Sequence, residues 1–370
     1  MNTDTLGIGA IGAGGFGLFA LQQFLQIPGV KLVGIAGTLR EAALAMSRRF
    51  GVPDLVDLDA LLASPEVDLV YIATPPFLHY PQARAALLAG KHVLCEKPLA
   101  MTVEQADDLL ALARERDLLC VANLMQRYNP LYEATRDLVA SGVLGACLHG
   151  WFENYASDEG LGPDHWFWDR EKSGGIFIEH GVHFFDLFEG WLGAGTVVAA
   201  QRVLRPGSGI EEQVQGTVRH ASGPLVNHYH GFTQPSRLDR QEFRLLFEHG
   251  EITLEEWVPV RARIRAAVDE AQTRTLMALF PGSRLDVLKT YGGRDRAARG
   301  RFKEIDIYQQ IEMQHALGED KQRRYCELLR SLFADQVAWV RDRSHARKIT
   351  ERNGRDSVAM ADMATRLATA

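Results

Sequence analysis

A glycine-rich segment constrains the fold of this chain more than any other feature of its sequence. Residues 12–17 read Gly-Ala-Gly-Gly-Phe-Gly, and they lie between an apolar run, Leu6–Ile11, and a stretch with helical spacing that ends near Gln26. The order predicted is therefore strand, tight turn and helix. Such a turn lets the backbone approach a pyrophosphate, whose charge is stabilised by the free N–H groups at the start of the helix. The turn predicts a dinucleotide site with these contacts: Gly12, Gly14, Gly15, Phe16 and Gly17.

The first 125 residues repeat this alternation of strand and helix. Further strands are predicted at Lys31–Ala36, Asp68–Thr74, His92–Cys95 and Leu118–Asn123, and helices at Arg40–Phe50, His79–Ala89 and Thr102–Arg116. Several of these strands are apolar throughout, which is typical of a parallel sheet covered by helices on both faces. We therefore expect an α/β fold of the Rossmann type, with a doubly wound parallel sheet, over residues 1–128.

The pattern changes after Asn129 and Pro130, where strand candidates follow one another through short turns. Such runs favour antiparallel hairpins. Residues 129–370 are therefore expected to form an α+β substrate and catalytic domain with a mostly antiparallel, open sheet. Two C-terminal helices, Arg323–Arg341 and Asp356–Thr369, are candidates for packing back on the first domain.

Residues 259–310 match no clear pattern and are interpreted as a candidate insertion. Within this stretch, residues 281–303 hold seven Lys and Arg against two Asp, a local charge of +5. A solvated loop is favoured over a basic binding patch, because only Tyr291 and Phe302 offer rings on which a base could stack.

Composition limits the classes of function. The chain has 370 residues, of which 46% are hydrophobic and 24% charged, and its formal net charge is −6. This balance is typical of a globular protein, and the acidic charge argues against a nucleic acid or an anionic membrane as the main partner. No apolar run approaches the roughly 18 residues that a membrane helix needs. The four widely spaced cysteines indicate reduced thiols, and no basic leader precedes Leu6, which favours a cytoplasmic protein.

The end of the second predicted strand bears on the choice between NAD and NADP. Dehydrogenases that use NAD usually carry an acidic residue about 20 positions after the glycine turn, where it binds the ribose 2′-hydroxyl. Here the sequence reads Gly37-Thr38-Leu39-Arg40. Thr38 offers a hydroxyl and Arg40 a guanidinium that pairs well with phosphate, so NADP is the preferred cofactor and NAD the alternative. The opposing interpretation is that Arg40 is only solvated and Glu41 binds the ribose.

Two later segments connect the chain to a family. Residues 92–98 read His-Val-Leu-Cys-Glu-Lys-Pro, and residues 174–186 read Gly-Gly-Ile-Phe-Ile-Glu-His-Gly-Val-His-Phe-Phe-Asp. Shorter matches are the glycine turn, Thr74-Pro75-Pro76 and Gln126-Arg127-Tyr128-Asn129-Pro130. With these motifs the chain resembles the Gfo/Idh/MocA family of glucose–fructose oxidoreductase and inositol dehydrogenase relatives. The resemblance covers residues 1–255 well and the last 45 residues loosely.

The resemblance implies an NAD(P)-dependent oxidoreductase that interconverts a secondary alcohol and a ketone on a sugar, cyclitol or related polyol. It places Lys97 beside the nicotinamide with its ammonium on the reacting oxygen, and it makes His183 the usual proton donor or acceptor. The aspartate of the family falls on Glu179, which is expected to orient His183. The resemblance also implies these cofactor contacts: Thr74, Pro75, His79, Glu96 and Lys97.

Elementary chemistry agrees with these roles. A cation beside the oxygen stabilises developing alkoxide charge, and an imidazole with a pKa near neutrality suits proton transfer. Glu179 and His183 are four residues apart, so on a helix they share a face. Because Glu179 is one methylene longer than Asp, either the histidine or the substrate must shift. His180 is interpreted as a supporting hydrogen-bonding residue, and a metal bound by these three neighbours is disfavoured because one helical turn rarely makes them converge.

Substrate contacts are expected from side chains that stack on a sugar ring or hydrogen-bond to it: Arg127, Tyr155, His165 and Trp166. Packing beneath the sheet is an equally good interpretation of the aromatic ones. An open antiparallel sheet leaves a face that needs a cover, and the family resemblance suggests a homodimer or homotetramer through that face.

Two other functions stay open at this stage. One is a glycoside hydrolase that retains its cofactor and uses transient oxidation of the sugar to allow elimination. The other is a non-catalytic protein that senses NADP and binds a partner, although the presence of Lys97 and His183 argues against it.

Overall fold

The computed structural model describes residues 5–12, 14–37, 39–318 and 320–369. The chain forms two compact units, and neither is continuous in sequence. The first contains the described residues up to Met125 together with Pro163–Asp186 and Cys326–Thr365. The second contains Gln126–Gly162, Leu187–Tyr325 and the described residues from Arg366 onward. The sequence-based division into 1–128 and 129–370 differs from these units by the later segments, and as a boundary between domains it stays a prediction.

The elements alternate in the first part of the chain and are richer in strands in the second. The helices are α1 Gly15–Phe24, α2 Arg40–Phe50, α3 Leu58–Ala63, α4 His79–Leu88, α5 Val103–Glu115, α6 Pro130–Ser141, α7 Arg170–Ser173, α8 Val182–Leu192, α9 Glu270–Leu279, α10 Lys321–Arg341 and α11 Glu351–Thr369. The strands are β1 Leu6–Ile11, β2 Val30–Ala36, β3 Leu69–Ile72, β4 His92–Cys95, β5 Cys120–Ala122, β6 Cys147–Ala156, β7 Gly195–Leu204, β8 Glu211–His220, β9 Leu225–Phe232, β10 Arg240–Phe247, β11 Gly250–Glu255, β12 Arg261–Val268, β13 Arg284–Thr290, β14 Ala297–Gly300, β15 Lys303–Asp306 and β16 Gln309–Ala316.

The first unit is built on a five-stranded parallel sheet in the order β2-β1-β3-β4-β5. Every residue of β1 and β3 is buried, as expected of strands that helices cover on both faces. The predicted α/β class and its doubly wound parallel sheet are confirmed. Helix α3 was not predicted, because its six residues are too few to show a helical period.

Residues of the C-terminal helices pack within this first unit. The ring of Phe333 in α10 stacks on Phe24 of α1 with centroids 4.5 Å apart, and Phe24 and Tyr71 form a T-shaped pair with centroids 5.0 Å apart. In α11, a Cβ on Gly354 would lie 3.1 Å from both Leu99 and Ala122, so the absence of a side chain permits close packing. Aromatic stacking and close helix packing therefore tie the end of the chain to the core beside β3–β5.

The second unit is built on a nine-stranded sheet in the order β13-β16-β12-β11-β10-β6-β9-β8-β7. Its neighbouring strands are antiparallel apart from β6 and β9, which run parallel, so the predicted mostly antiparallel sheet is confirmed. Along β10 and β12, buried residues alternate with residues that are half-buried or exposed. One face of the sheet therefore carries the core, and the other remains open within the unit.

The expectation of a solvated loop at residues 281–303 is wrong. Strand β13 lies there at the edge of the nine-stranded sheet, and β14 and β15 form a separate hairpin. The stretch is nevertheless mostly exposed, and its basic residues are in part paired, as with Arg296 and Asp306. Because β13 is not buried on either face, it lacks the apolar alternation that identifies a strand from sequence.

Within the described ranges, no helix has the length and apolar character to span a bilayer.

Candidate active site

The glycine turn has the shape that a dinucleotide site requires. Gly12 has φ of +107°, and a Cβ there would lie 2.4 Å from the carbonyl oxygen of Ala73. A Cβ on Gly17 would lie 2.6 Å from the Cβ of Ala73, so α1 packs against the chain after β3 only because this residue is glycine. Around Gly14 and Gly15, by contrast, a Cβ would meet no described atom within 4 Å. The backbone at the start of α1 thus borders open space, and the residues fit a bound pyrophosphate.

An ion pair that sequence analysis missed joins the start of α2 to the residue before α3. Nη1 of Arg40, at the first position of α2, donates to both carboxylate oxygens of Asp57 at 3.0 and 2.9 Å, and both side chains are exposed. Thr38, the other residue predicted to select NADP, lies outside the described residues. Asp57 lies 17 residues after Arg40 in the chain, and no local sequence pattern predicts a contact over that separation.

The predicted cofactor contacts near β3 form a linked group. The hydroxyl of Thr74 donates to Oε1 of Gln82 at 2.7 Å, and Pro75 precedes a short 3-10 turn. The buried ring of His79 lies between two backbone oxygens, with Nε2 2.7 Å from Thr74 and Nδ1 2.6 Å from Pro98. Burial lowers the pKa of His79. His79 therefore links the chain after β3 to the chain after β4, and its contact with a cofactor stays a prediction.

Lys97 lies two residues after the end of β4, and its ammonium is bound by Glu179. Nζ donates to the backbone oxygen of Glu179 at 2.8 Å and to its Oε1 at 2.5 Å. The two side chains are only 19% and 12% exposed. Glu179 itself lies in the π-helical turn Phe177–Gly181, which leads directly into α8. The structure thus brings together two of the three predicted catalytic residues.

The carboxylate of Glu96, the residue before Lys97, is buried and hydrogen-bonded from two strands. The hydroxyl of Tyr71 and Nδ2 of Asn123 donate to the same oxygen, Oε1, at 2.7 and 2.8 Å. Burial raises the pKa of Glu96, and these hydrogen bonds and the charge of Lys97 oppose that rise. Sequence analysis missed Tyr71 and Asn123, although Asn123 ends the predicted strand Leu118–Asn123, and the carboxyl ends of strands are where ligand sites of α/β folds lie.

Two histidines follow Glu179 in the chain. His183, at the second position of α8, is buried, and His180 is partly buried in the π-helical turn. Burial, and after it the positive charge of Lys97, holds the pKa of each imidazole well below its usual range. Both are therefore neutral near pH 7. The contact between Glu179 and His183 that was predicted from helical spacing stays a prediction, and the π-helical turn changes that spacing.

The residues predicted to bind substrate fall in both units. In the first, Nδ1 of His165 accepts the N–H of Phe167 at 3.2 Å, and its ring lies 5.2 Å from that of Trp166. In the second, Nη1 of Arg127 donates to the hydroxyl of Tyr132 at 2.7 Å. Also in the second, the ring of Tyr155 lies 4.3 Å below the guanidinium of Arg240 and 5.2 Å from the ring of Tyr229. A substrate-binding role for these four residues stays a prediction.

Two models of protein families match this chain. "Oxidoreductase family, NAD-binding Rossmann fold" matches residues 6–124, and "GFO/IDH/MocA C-terminal domain" matches residues 132–253. The chain belongs to the Gfo/Idh/MocA family. Its first part is an NAD-binding Rossmann domain, in agreement with the glycine turn.

Relatives of this family share sequence and fold with the chain. The 1,5-anhydro-D-fructose reductase of Ensifer adhaerens is 32% identical over 216 residues, 56% of this chain and 64% of that protein. A dTDP-3,4-didehydro-2,6-dideoxy-alpha-D-glucose 3-reductase of Saccharopolyspora spinosa is 27% identical over 342 residues, 84% of this chain and 96% of that protein. The WlbA dehydrogenase from Bordetella pertussis, solved with NADH and UDP-GlcNAcA, has a TM-score of 0.80 at 18% identity, covering 100% of this chain and 97% of that one.

Three of the curated relatives match over only part of their own length. The chain spans from 39% to 64% of the length of three that it matches, which include the Ensifer enzyme. The family is therefore shown by both halves of the chain, and the reaction and substrate belong to the proposal that follows.

Proposed function

We propose that this chain interconverts a secondary alcohol and a ketone on a sugar, cyclitol or related polyol, with NADP preferred over NAD. The observation that carries the proposal is the placement of Lys97. Its ammonium is partly buried on Glu179, and its charge reaches the imidazoles of His180 and His183. A fixed cation and a neutral buried base are the two groups that this reaction needs. The names of the relatives, which are reductases and dehydrogenases of sugars or cyclitols, support it.

Lys97 has one donor left for a substrate. An ammonium carries three hydrogens, and Glu179 accepts two of them through its backbone oxygen and its carboxylate. The third is available to the oxygen that becomes the ketone or alkoxide. Glu179 accordingly acts on Lys97, by holding its charge and its direction, in addition to the role toward His183 that the family resemblance implies.

His183 is the proposed proton acceptor in the direction of alcohol oxidation. Its depressed pKa keeps it unprotonated near neutrality, which is the state in which an imidazole takes a proton from a hydroxyl. When bound, the nicotinamide cofactor supplies the acceptor or donor of the hydride. The glycine turn and the groups after β3 and β4 would hold it, through these residues: Gly12, Gly14, Gly15, Phe16, Gly17, Thr74, Pro75, His79, Glu96 and Lys97.

The preference for NADP rests on Arg40. Its ion pair with Asp57 is exposed on both sides, and pairs of this kind contribute only about 0–1 kcal/mol, so a phosphate can replace the carboxylate.

The proposal includes a cytoplasmic location, supported by four free cysteines. It also includes a homodimer or homotetramer through the open face of the nine-stranded sheet, and substrate contacts from Arg127, Tyr155, His165 and Trp166.

A screen of polyols and keto-sugars with both oxidised and reduced forms of NADP and NAD tests the proposal. The expected result is turnover of at least one polyol or keto-sugar, read as the absorbance of the reduced nicotinamide, with a faster rate for the NADP pair. Release of an aglycone without net cofactor turnover would instead support the glycoside hydrolase. Cofactor binding without turnover of any candidate would support the sensing protein.

A further inference from the structure

We propose that Tyr71 and Asn123 are positioning residues for Lys97, and that they act through the carboxylate of Glu96. The inference rests on the proposed function, because it takes Lys97 as the residue that contacts the reacting oxygen.

The three residues come from three neighbouring strands of the parallel sheet. Tyr71 is on β3, Glu96 follows β4 directly, and Asn123 follows β5 directly. These strands are adjacent in the order β3-β4-β5, and their carboxyl ends lie at one edge of the sheet. Two donors, from the strands on either side, meet on the same oxygen of the central carboxylate at 2.7 and 2.8 Å.

This contact is inside the protein. Tyr71 is 1% exposed, Glu96 8% and Asn123 2%. A buried carboxylate that lost one of its donors would keep its cost of desolvation, so the geometry of the whole set is strongly specified. Glu96 is the residue immediately before Lys97 in the chain, directly after the end of β4. The two outer strands are therefore connected through Glu96 to the backbone from which the Lys97 side chain projects.

Packing in the core fixes the position of Tyr71, which is at the far end of these contacts from Lys97. The rings of Tyr71 and Phe24 pack in a T-shaped arrangement, and Phe24 stacks on Phe333. Since the ring is held by packing, its hydroxyl has a fixed position, and replacement by Phe removes the hydroxyl while keeping the ring. On the far side of Lys97, the backbone oxygen of Pro98 is held by His79 at 2.6 Å. Lys97 is thus bracketed by Glu96 and Pro98, and its ammonium ends on Glu179.

The first experiment measures how accessible the Lys97 amine is to a chemical label, without any substrate. Acetic anhydride labels accessible amines, and peptide mass spectrometry gives the rate at Lys97 in the protein saturated with NADPH. We expect Tyr71→Phe, and likewise Asn123→Ala, to raise this rate by about threefold or more, because the backbone at Lys97 loosens. Tyr80→Phe is the matched control, since it removes a tyrosine hydroxyl that binds Asp108 in the same unit. A labelling rate at Lys97 equal in Tyr71→Phe, Tyr80→Phe and wild type would overturn the inference.

The second experiment separates positioning from general stability, with the substrate that the screen identifies. Single-turnover hydride transfer should fall by about tenfold in Tyr71→Phe, with the Kd for NADPH unchanged within about twofold. In a Lys97→Ala background the same replacement should cause no further loss, because the residue that it positions is gone. An equal loss in both backgrounds would show a merely structural role. The single variant Lys97→Ala tests the proposed function separately, since full activity there contradicts that function whatever Tyr71 does.

Discussion

The ammonium of Lys97 lies 2.5 Å from Oε1 of Glu179 and 2.8 Å from the backbone oxygen of the same residue, although 82 positions separate the two in sequence. Both side chains are largely buried. Removal of one partner from such a pair leaves a charge without its counter-ion in a poorly hydrated place, which costs far more than the loss of an exposed pair. The pair therefore makes Glu179 a third determinant of the candidate site, beside the lysine and the histidine.

Glu179→Gln tests this relationship. The amide keeps the size of the side chain and removes its charge, so the ammonium of Lys97 loses its counter-ion and its fixed direction. We expect kcat to fall by about tenfold or more, while the Kd for NADPH changes by less than about twofold. Glu171→Gln, an exposed position in α7 of the same unit, is the control and should leave both values unchanged. Equal kcat in the two variants would contradict the role of Glu179.

The pH dependence of alcohol oxidation should report His183. Burial and the charge of Lys97 hold its pKa well below the usual value of 6.5. The rate should therefore stay level as the pH falls from 8 through about 6.5, and decline only at a lower pH, where the imidazole becomes protonated. His180→Gln should retain this acid limb and His183→Gln should remove it, since only His183 is assigned the proton. An acid limb centred at or above pH 6.5 would show that the base is not a buried imidazole.

A buried histidine in the second unit should make its stability sensitive to acid. Burial first, and then the charges of His230 and His220, hold the pKa of His228 well below 6.5, and its ring meets the edge of Phe188. The unfolded chain binds a proton at His228 near pH 6.5, and the folded chain does not. Above that pH neither state binds the proton, so the free energy of unfolding keeps its full value. It should fall by up to about 1.4 kcal/mol per pH unit below it.

Urea unfolding at pH 7.5 and 5.5 measures this effect. His228→Leu should reduce the difference in the free energy of unfolding between the two pH values, even if it lowers stability at both. A replacement of the partly exposed His149 provides the comparison, because a less buried imidazole adds less to the difference. An unchanged difference in His228→Leu would refute the assignment.

Arg40 and Asp57 should control the choice of cofactor. Arg40→Ala removes the guanidinium that pairs with a 2′-phosphate and should weaken NADPH binding by about tenfold, with NADH binding unchanged. Asp57→Asn removes the competing carboxylate and should tighten NADPH binding. Arg84→Ala, which breaks a comparable pair with Asp108, is the control. Parallel fluorescence titrations with the two cofactors give the answer, and equal losses for NADPH and NADH in Arg40→Ala would exclude recognition of the phosphate.

Local sequence patterns predicted the parts of this protein that depend on neighbouring residues. The glycine turn, the parallel sheet and the position of Lys97 just beyond β4 all follow from periodicity and from the steric demands of glycine. The contacts that complete the site are not local. Lys97 and Glu179 are 82 positions apart, and Tyr71, Glu96 and Asn123 come from three strands, so only the order of strands in the sheet brings them together.

Two segments show, for different physical reasons, why local sequence patterns were not enough. Strand β13 is exposed on both faces, and its sequence therefore carries no apolar alternation. Helical spacing put Glu179 on one face with His183 and gave no sign of Lys97, whereas the chain at 177–181 forms a π-helical turn and the carboxylate contacts Lys97, so the contact with His183 stays a prediction. Periodicity missed the strand in the first case and missed the contact with Lys97 in the second.

The measurement that tests the account most directly compares Lys97→Ala and His183→Ala with the wild-type protein in single-turnover hydride transfer, with NADPH affinity determined in parallel. The account predicts that each variant binds NADPH with nearly unchanged Kd and loses about 100-fold or more of the rate. Wild-type rates of hydride transfer in both variants, with the cofactor bound, would contradict it.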